Sequence, residues 1–129
     1  MFNKKEKAQQ LDKVETIIGN ATEFKGNISS EGMVRIDGSV EGEIAIGDSL
    51  VIGEQGKVYA NIKSKNVTVA GEIHGDVECT ESLEILSSGK LYGNIKVTNL
   101  FIDDGATFEG NCEMKQSKEN EKVKKNESP

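Results

Sequence analysis

The chain has 129 residues, which favours a single domain, and its 16 basic and 22 acidic residues give a net charge of −6. Residues 1–15 hold four Lys and three acids, and residues 113–129 hold five Lys and four acids, which leaves 7 basic against 15 acidic side chains for the middle of the chain. Because phosphate backbones are bound by clustered Lys and Arg, this acidic body argues against nucleic-acid binding.

No apolar run approaches the roughly 18 residues that span a bilayer, and the N-terminus lacks the apolar segment of a secretory signal. We therefore expect a cytoplasmic protein. The two cysteines, Cys79 and Cys112, lie far apart, without a CxxC motif or a Cys/His cluster. In a reducing compartment both are expected to be buried small hydrophobic side chains.

Three segments follow one another along the chain. Residues 1–15, MFNKKEKAQQLDKVE, lack apolar periodicity and are expected to form a disordered arm. All 14 glycines lie between Gly19 and Gly110, and the folded domain is predicted at 16–112. The segment 113–129 has only two apolar residues and is expected to be a disordered, charged tail.

A repeat fills the central segment. Residues 34–66 laid on residues 67–99 match at 13 of 33 positions without a gap, including the block G-K-(V/L)-Y-x-N-I-K. Each unit divides into two turns, and each turn has a Φ-x-Φ pair, a bend that contains glycine, and a Φ-x3-Φ pair, where Φ is apolar. The turns begin at Val34, Leu50, Val67, Leu83 and Leu100, so that successive turns start 16, 17, 16 and 17 residues apart. A weaker turn precedes them from Thr16.

This spacing predicts very short strands and argues against helices. Apolar residues recur after 2 and then 4 or 6 positions, β-branched residues dominate, and bends interrupt every few residues. Three strands per turn with an unchanged register can stack turn upon turn at about 4.8 Å. The prediction is an all-β, three-faced β-helix solenoid of about six turns, on the order of 29 Å long. Its inward positions are Thr16, Ile18, Phe24 and Ile28; Val34, Ile36, Val40 and Ile44; Leu50, Ile52, Val58 and Ile62; Val67, Val69, Ile73 and Val77; Leu83, Ile85, Leu91 and Ile95; and Leu100, Ile102, Phe108 and Cys112.

The ends of such a solenoid favour self-association. An uncapped solenoid exposes unpaired backbone and apolar core at both ends, and neither flanking segment has the apolar periodicity of a capping helix. Because the contacts lie at opposite ends of a rod, the assembly would be an open polymer. The polymer interface is predicted at Ile18, Phe24, Leu100, Phe101, Ile102 and Phe108.

As a set, five motifs resemble those of the bactofilins, a family of bacterial cytoskeletal proteins: I-I-G at 17–19, F-K-G-N-I at 24–28, G-S-V-E-G-E-I at 38–44, G-K-V-Y-A-N-I at 56–62 and G-A-T-F-E-G-N-C-E-M at 105–114. The resemblance implies a right-handed triangular β-helix that forms nonpolar filaments without nucleotide. It also implies a membrane-associated scaffold for cell-wall or polarity proteins.

The resemblance assigns particular residues as well. Family members carry a phenylalanine near the end of the core whose loss disrupts polymerisation, and Phe108 in G-A-T-F matches it, with Phe101 as neighbouring support.

The N-terminal M-F-x-K-K resembles the membrane-targeting segment of many bactofilins. Met1 and Phe2 offer an apolar wedge, while Lys4, Lys5 and Lys7 suit anionic lipid at about 1 kcal/mol each. One arm binds weakly, but many arms on a filament bind together. Attachment at the inner face of the cell membrane is therefore expected; the alternative is an ordinary disordered start whose lysines aid solubility.

Two other functions stay open. A hexapeptide-like β-solenoid acyltransferase would use His74, the only histidine, as a general base, although turns of 16 and 17 residues depart from a steady six-residue repeat. The second is a monomeric solenoid that binds a partner. The chain has neither the G-G-x-G-x-D calcium repeat nor a phosphate-binding GxxxxGK[ST] motif, so we expect no catalytic residue, cofactor, metal or nucleotide.

Overall fold

The computed structural model describes residues 14–114, and in this part of the chain it contains thirteen strands and no helix. The strands are β1 Val14–Ile18, β2 Glu23–Ser30, β3 Met33–Ile36, β4 Ser39–Ile46, β5 Ser49–Ile52, β6 Lys57–Val69, β7 Glu72–His74, β8 Val77–Ile85, β9 Lys90–Tyr92, β10 Ile95–Val97, β11 Asn99–Ile102, β12 Thr107–Glu109 and β13 Cys112–Met114.

Every strand pair is parallel, and each residue pairs with its equivalent one turn later. Ile36 pairs with Ile52, Ile52 with Val69 and Val69 with Ile85. A chain can make such unbroken parallel ladders only by coiling in one direction. The result is the predicted β-solenoid of about six turns. Several strands are longer than the very short ones predicted, because they continue through a corner of the solenoid without a break; β6 spans 13 residues.

The four predicted inward columns are confirmed. The third column, for example, pairs Phe24 with Val40, Val40 with Val58 and Val58 with Ile73. Side chains in the middle turns of these columns are almost completely buried. β-branched and leucine side chains stacked in this way form one narrow apolar core that runs the length of the rod.

A fifth inward column was not predicted. Its members, in turn order, are Ser30, Ile46, Ser64, Cys79, Val97 and Met114, and the pairs Ser30 with Ile46, Ser64 with Cys79 and Val97 with Met114 fix its register. The buried Ser64 hydroxyl lies 3.0 Å from the carbonyl oxygens of both Asp48 and Asn66. This polar group is therefore satisfied inside the core.

The prediction for the cysteines was half right. Cys79 lies in the fifth column and is 0% exposed. Cys112 also occupies an inward column, but it is exposed, so the prediction of a buried side chain was wrong for this residue. The reason is its place in the last turn, where no further turn of the described chain covers it.

The bends have the predicted two lengths. The longer ones are closed by a hydrogen bond across the bend, as from the Gly56 amide to the Gly53 carbonyl and from the Gly89 amide to the Leu86 carbonyl. At another corner Gly42 has φ of +138° and lies so close to Gly26 that an added Cβ would collide with its carbonyl oxygen. Glycine is needed there for both reasons.

Candidate self-association sites

The last turn leaves a backbone edge open at the C-terminal end of the rod. Among the described residues β11, β12 and β13 each pair on one side only, with β8, β9 and β10 respectively. Their outer N–H and C=O groups form an edge that another strand can pair with.

Apolar side chains become exposed at the same end. In the second inward column exposure rises from 0% at Ile85 to 46% at Ile102, which lies directly above it. In the third column Leu91 is buried, whereas Phe108 above it is half-buried. Leu100 is half-buried too. These side chains are core residues that lack a covering turn.

Phe101 has a different geometry from the other predicted contact residues. It is 55% exposed and lies in register with Glu84, in a column that points outward from the rod. Phe101 thus forms the lateral rim of the end surface, whereas Ile102 and Phe108 form its centre.

The N-terminal end is more closed. β1 and β2 also pair on one side only among the described residues, with β3 and β4. Ile18 is nevertheless only 9% exposed, and Phe24 is half-buried. The six residues predicted to form the polymer interface therefore lie at two separate places, two of them at this end of the rod and four at the other.

Ile17 was not among the contact residues predicted from the sequence. Its side chain is 59% exposed on the first turn, in the outward column that ends at Phe101. The predicted alternation places Ile17 outward between Thr16 and Ile18. An apolar side chain at a position that points outward could have identified this residue in the sequence.

His74 lies in a stack of rings on the outer surface. Its ring centroid is 4.7 Å from that of Tyr59 and 4.8 Å from that of Tyr92, one turn to either side. The Nε2 atom lies 3.1 Å from Oε2 of Glu72. The predicted outward orientation is correct, and both sides of the ring are taken up by tyrosines.

Some of the predicted sites lie beyond these surfaces. Met1, Phe2, Lys4, Lys5 and Lys7, predicted to target the membrane, lie outside residues 14–114. Within the described range no helix has the length and apolarity needed to cross a membrane. The same range contains no group of three or more His, Cys, Asp or Glu residues arranged to hold a metal ion.

Within residues 14–114 the rod is a solenoid whose last turn leaves apolar side chains and a backbone edge without a cap. The family described as Bactofilin, polymer-forming cytoskeletal, matches residues 16–113. The chain is 58% identical over 98 residues to bactofilin BacN of Myxococcus xanthus (strain DK1622), which covers 76% of this chain and 87% of the relative. It is 34% identical over 99 residues to bactofilin BacO of the same organism, a match that covers 77% of this chain and 79% of the relative.

No solved structure matches the chain significantly. The sequence matches are sufficient: the chain belongs to the bactofilin family of polymer-forming cytoskeletal proteins.

Proposed function

We propose that this bactofilin assembles end to end into nonpolar filaments without nucleotide and acts as a structural scaffold. The observation that carries the proposal is the uncovered last turn, where Ile102 is 46% exposed above a column whose other members are buried. A second rod end placed there would bury this side chain and pair the open backbone edge.

The energies are of the right size for association. Burying about four inward side chains per contact gives roughly 1.5–3 kcal/mol each, or ~6–12 kcal/mol in total. The loss of translational and rotational freedom costs ~4–15 kcal/mol. Backbone pairing along three strands adds to the favourable side, and contacts at the two ends of a rod generate an open filament.

The test is negative-stain electron microscopy and sedimentation of the purified chain without nucleotide, beside Phe108→Arg. The native chain is expected to form filaments and the variant to remain dispersed, because an unpaired charge buried in the contact costs several kcal/mol. Thr68→Arg is the matched control, since it adds the same charge to an outward column two turns away, where Arg35 is already accommodated. Filaments of Phe108→Arg would show that the contact lies elsewhere; dispersed native chain would refute the assembly.

Membrane attachment at the cytoplasmic face is the second part of the proposal. It rests on Met1 and Phe2 as an apolar wedge and on Lys4, Lys5 and Lys7, whose weak binding is multiplied along a filament. Filaments should pellet with anionic liposomes and not with neutral ones. Filaments that lack residues 2–7 should stay in the supernatant, and full pelleting of these filaments would contradict the proposal.

The proposed role is structural and involves no enzyme activity. The one histidine has tyrosine rings on both faces, which leaves no room for an acyl donor against either face. Partners would then be further copies of the chain, the lipid surface, and cell-wall or polarity proteins that use the filament as a scaffold.

A further inference from the structure

One face of the rod carries a straight column of alternating charges. Lys63 pairs in register with Glu78, Glu78 with Lys96, and Lys96 with Glu113. Successive members lie about 4.8 Å apart along the rod axis, so the column is roughly 14 Å long. We call these four residues the charge strip.

The charge strip borders a groove. The groove has a volume of about 500 Å3, and the buried Ile62, Val77 and Ile95 lie beneath it. In the first two turns the same outward column holds Ser29 and Ala45, which carry no charge. Charge and groove therefore coincide over the last four turns.

The far wall of the groove is held rigidly by a ladder of side chains. Asn61 Oδ1 accepts a hydrogen bond from the Asp76 amide at 3.2 Å, and Asp76 Oδ1 accepts one from the Asn94 amide at 3.1 Å. Asn94 Oδ1 accepts another from the Asn111 amide at 3.1 Å. A surface fixed in this way loses little conformational freedom when a partner docks on it.

We propose that the charge strip docks a second copy of this chain side by side and antiparallel, so that two filaments pair. Read along the rod the strip is positive, negative, positive, negative, and reversal gives its complement. A two-fold axis midway between Glu78 and Lys96 places Lys63 opposite Glu113 of the second copy and Glu78 opposite Lys96 of the second copy. All four positions are then matched, as an isologous contact requires.

Other alignments match fewer charges. A parallel pair in register places each Lys opposite a Lys, and a parallel pair shifted by one turn matches three positions and leaves the contact open-ended. Lys63 and Glu113 are exposed and Glu78 and Lys96 are half-buried. Each ion pair between such surface side chains is weak, and it is the repetition along the filament that makes pairing effective. Lateral pairing is therefore sensitive to salt, because the screening length for surface charges is about 8 Å at physiological ionic strength and falls to about 3 Å at 1 M salt.

Lateral pairing rests on the proposed end-to-end filament, and variants of the charge strip test it on assembled filaments. Native filaments at low salt should appear in pairs that separate into single filaments at high salt. Lys63→Glu/Lys96→Glu, with a wholly negative strip, should give single filaments of unchanged length at low salt. Exchanging all four signs, with Lys63→Glu, Glu78→Lys, Lys96→Glu and Glu113→Lys, preserves self-complementarity and should restore pairs. Native filaments that stay single, pairs in the negative variant or single filaments in the exchanged variant would overturn the proposal.

Lys57→Glu/Lys90→Glu is the matched control, because it makes the same change of charge in the same two turns on another face, and pairs should persist. A zero-length carbodiimide cross-link gives an answer that does not depend on filaments. Lys63 and Glu113 are three turns apart in one copy, beyond the reach of their side chains, so a Lys63–Glu113 cross-link must join two copies.

That cross-link is expected in native protein and also in dispersed Phe108→Arg rods at high protein concentration, and it should be lost at high salt. Cross-links confined to neighbouring turns would refute the antiparallel contact even where filaments form. A Lys63–Glu113 cross-link in protein that forms no filaments would support the lateral contact and count against the end contact alone.

Discussion

At the scale of single residues, the two thiols of this chain differ in environment. Cys79 is fully buried in the fifth column, and burial raises the pKa of its thiol to about 12 from the ordinary 9.0. Since only the thiolate reacts with alkylating agents, Cys79 should be inert to iodoacetamide at pH 8 in the folded protein and react in urea. Mass spectrometry of the labelled chain measures this. Rapid native labelling of Cys79 would mean that the core opens.

The same shift makes a prediction about stability. A thiol whose pKa is higher in the folded state stabilises the fold, and this contribution is fully present at a pH below the ordinary thiol pKa. This contribution is lost as the pH rises through the folded-state value. The free energy of unfolding should therefore fall between about pH 9 and pH 12 in the native chain, and less so in Cys79→Ala. An equal fall in both would assign the effect to other groups.

Gly93 tests the corner geometry. It has φ of +147°, and a Cβ would collide with the carbonyl oxygen of Gly75 in the turn below. Gly93→Ala should destabilise the rod by about 3 kcal/mol, which lowers the Tm by roughly 10 °C or more. Gly19→Ala is the control, because no atom lies within 4 Å of its added Cβ. Each substitution is made in the dispersed Phe108→Arg chain, and the Tm is measured by thermal unfolding. Equal Tm values for the two variants would show that the contact at Gly93 does not require glycine.

The inward residues show what the sequence could and could not predict at this scale. Four columns follow from apolar periodicity because each of their positions is apolar in almost every turn. The fifth column escaped because Ser30 and Ser64 break the pattern, and the sequence does not reveal that a carbonyl will accept the Ser64 hydroxyl. Cys112 was misplaced because an inward position is buried only when another turn covers it.

At the scale of elements, the side-chain ladder from Asn61 to Asn111 holds one corner of the solenoid. Asn94→Ala removes the acceptor of the Asn111 amide, which is worth about 1 kcal/mol. Hydrogen exchange of that amide should accelerate roughly 5-fold. Asn94→Asp keeps an acceptor, as Asp76 does one turn below, and should exchange like the native chain. Equal acceleration in both variants would show that the side-chain oxygen is not what holds the corner.

Bends were easier to predict than contacts between outward side chains. The unequal spacing of apolar residues determines which bends are longer, since a strand must return to the same register in every turn. The stack of Tyr59, His74 and Tyr92 joins three turns. Periodicity places these rings in one column, but whether they stack or turn to solvent depends on their rotamers and on Glu72 beside them.

At the scale of the whole molecule, the ends and the faces of the rod attract by different forces. The last turn exposes apolar side chains, and its charged residues are all acidic: Asp103, Asp104, Glu109 and Glu113. Salt screens repulsion between two such ends and does not weaken apolar burial. The charge strip is electrically neutral and attracts by ion pairs alone. Added salt should therefore separate paired filaments while leaving each filament intact.

Cys112 offers a probe of the end contact, because it is exposed in the last turn. If that turn is covered on assembly, iodoacetamide should label Cys112 at least ten-fold more slowly in filaments than in dispersed Phe108→Arg rods, since the ends stay covered in all but a small fraction of subunits. Lys57→Cys in a Cys112→Ser chain is the control, because residue 57 is exposed on a lateral face and should be labelled at similar rates in both states. Protection at both positions would indicate general burial in bundles. Protection at neither would place the filament contact away from the last turn and remove the main argument for end-to-end assembly.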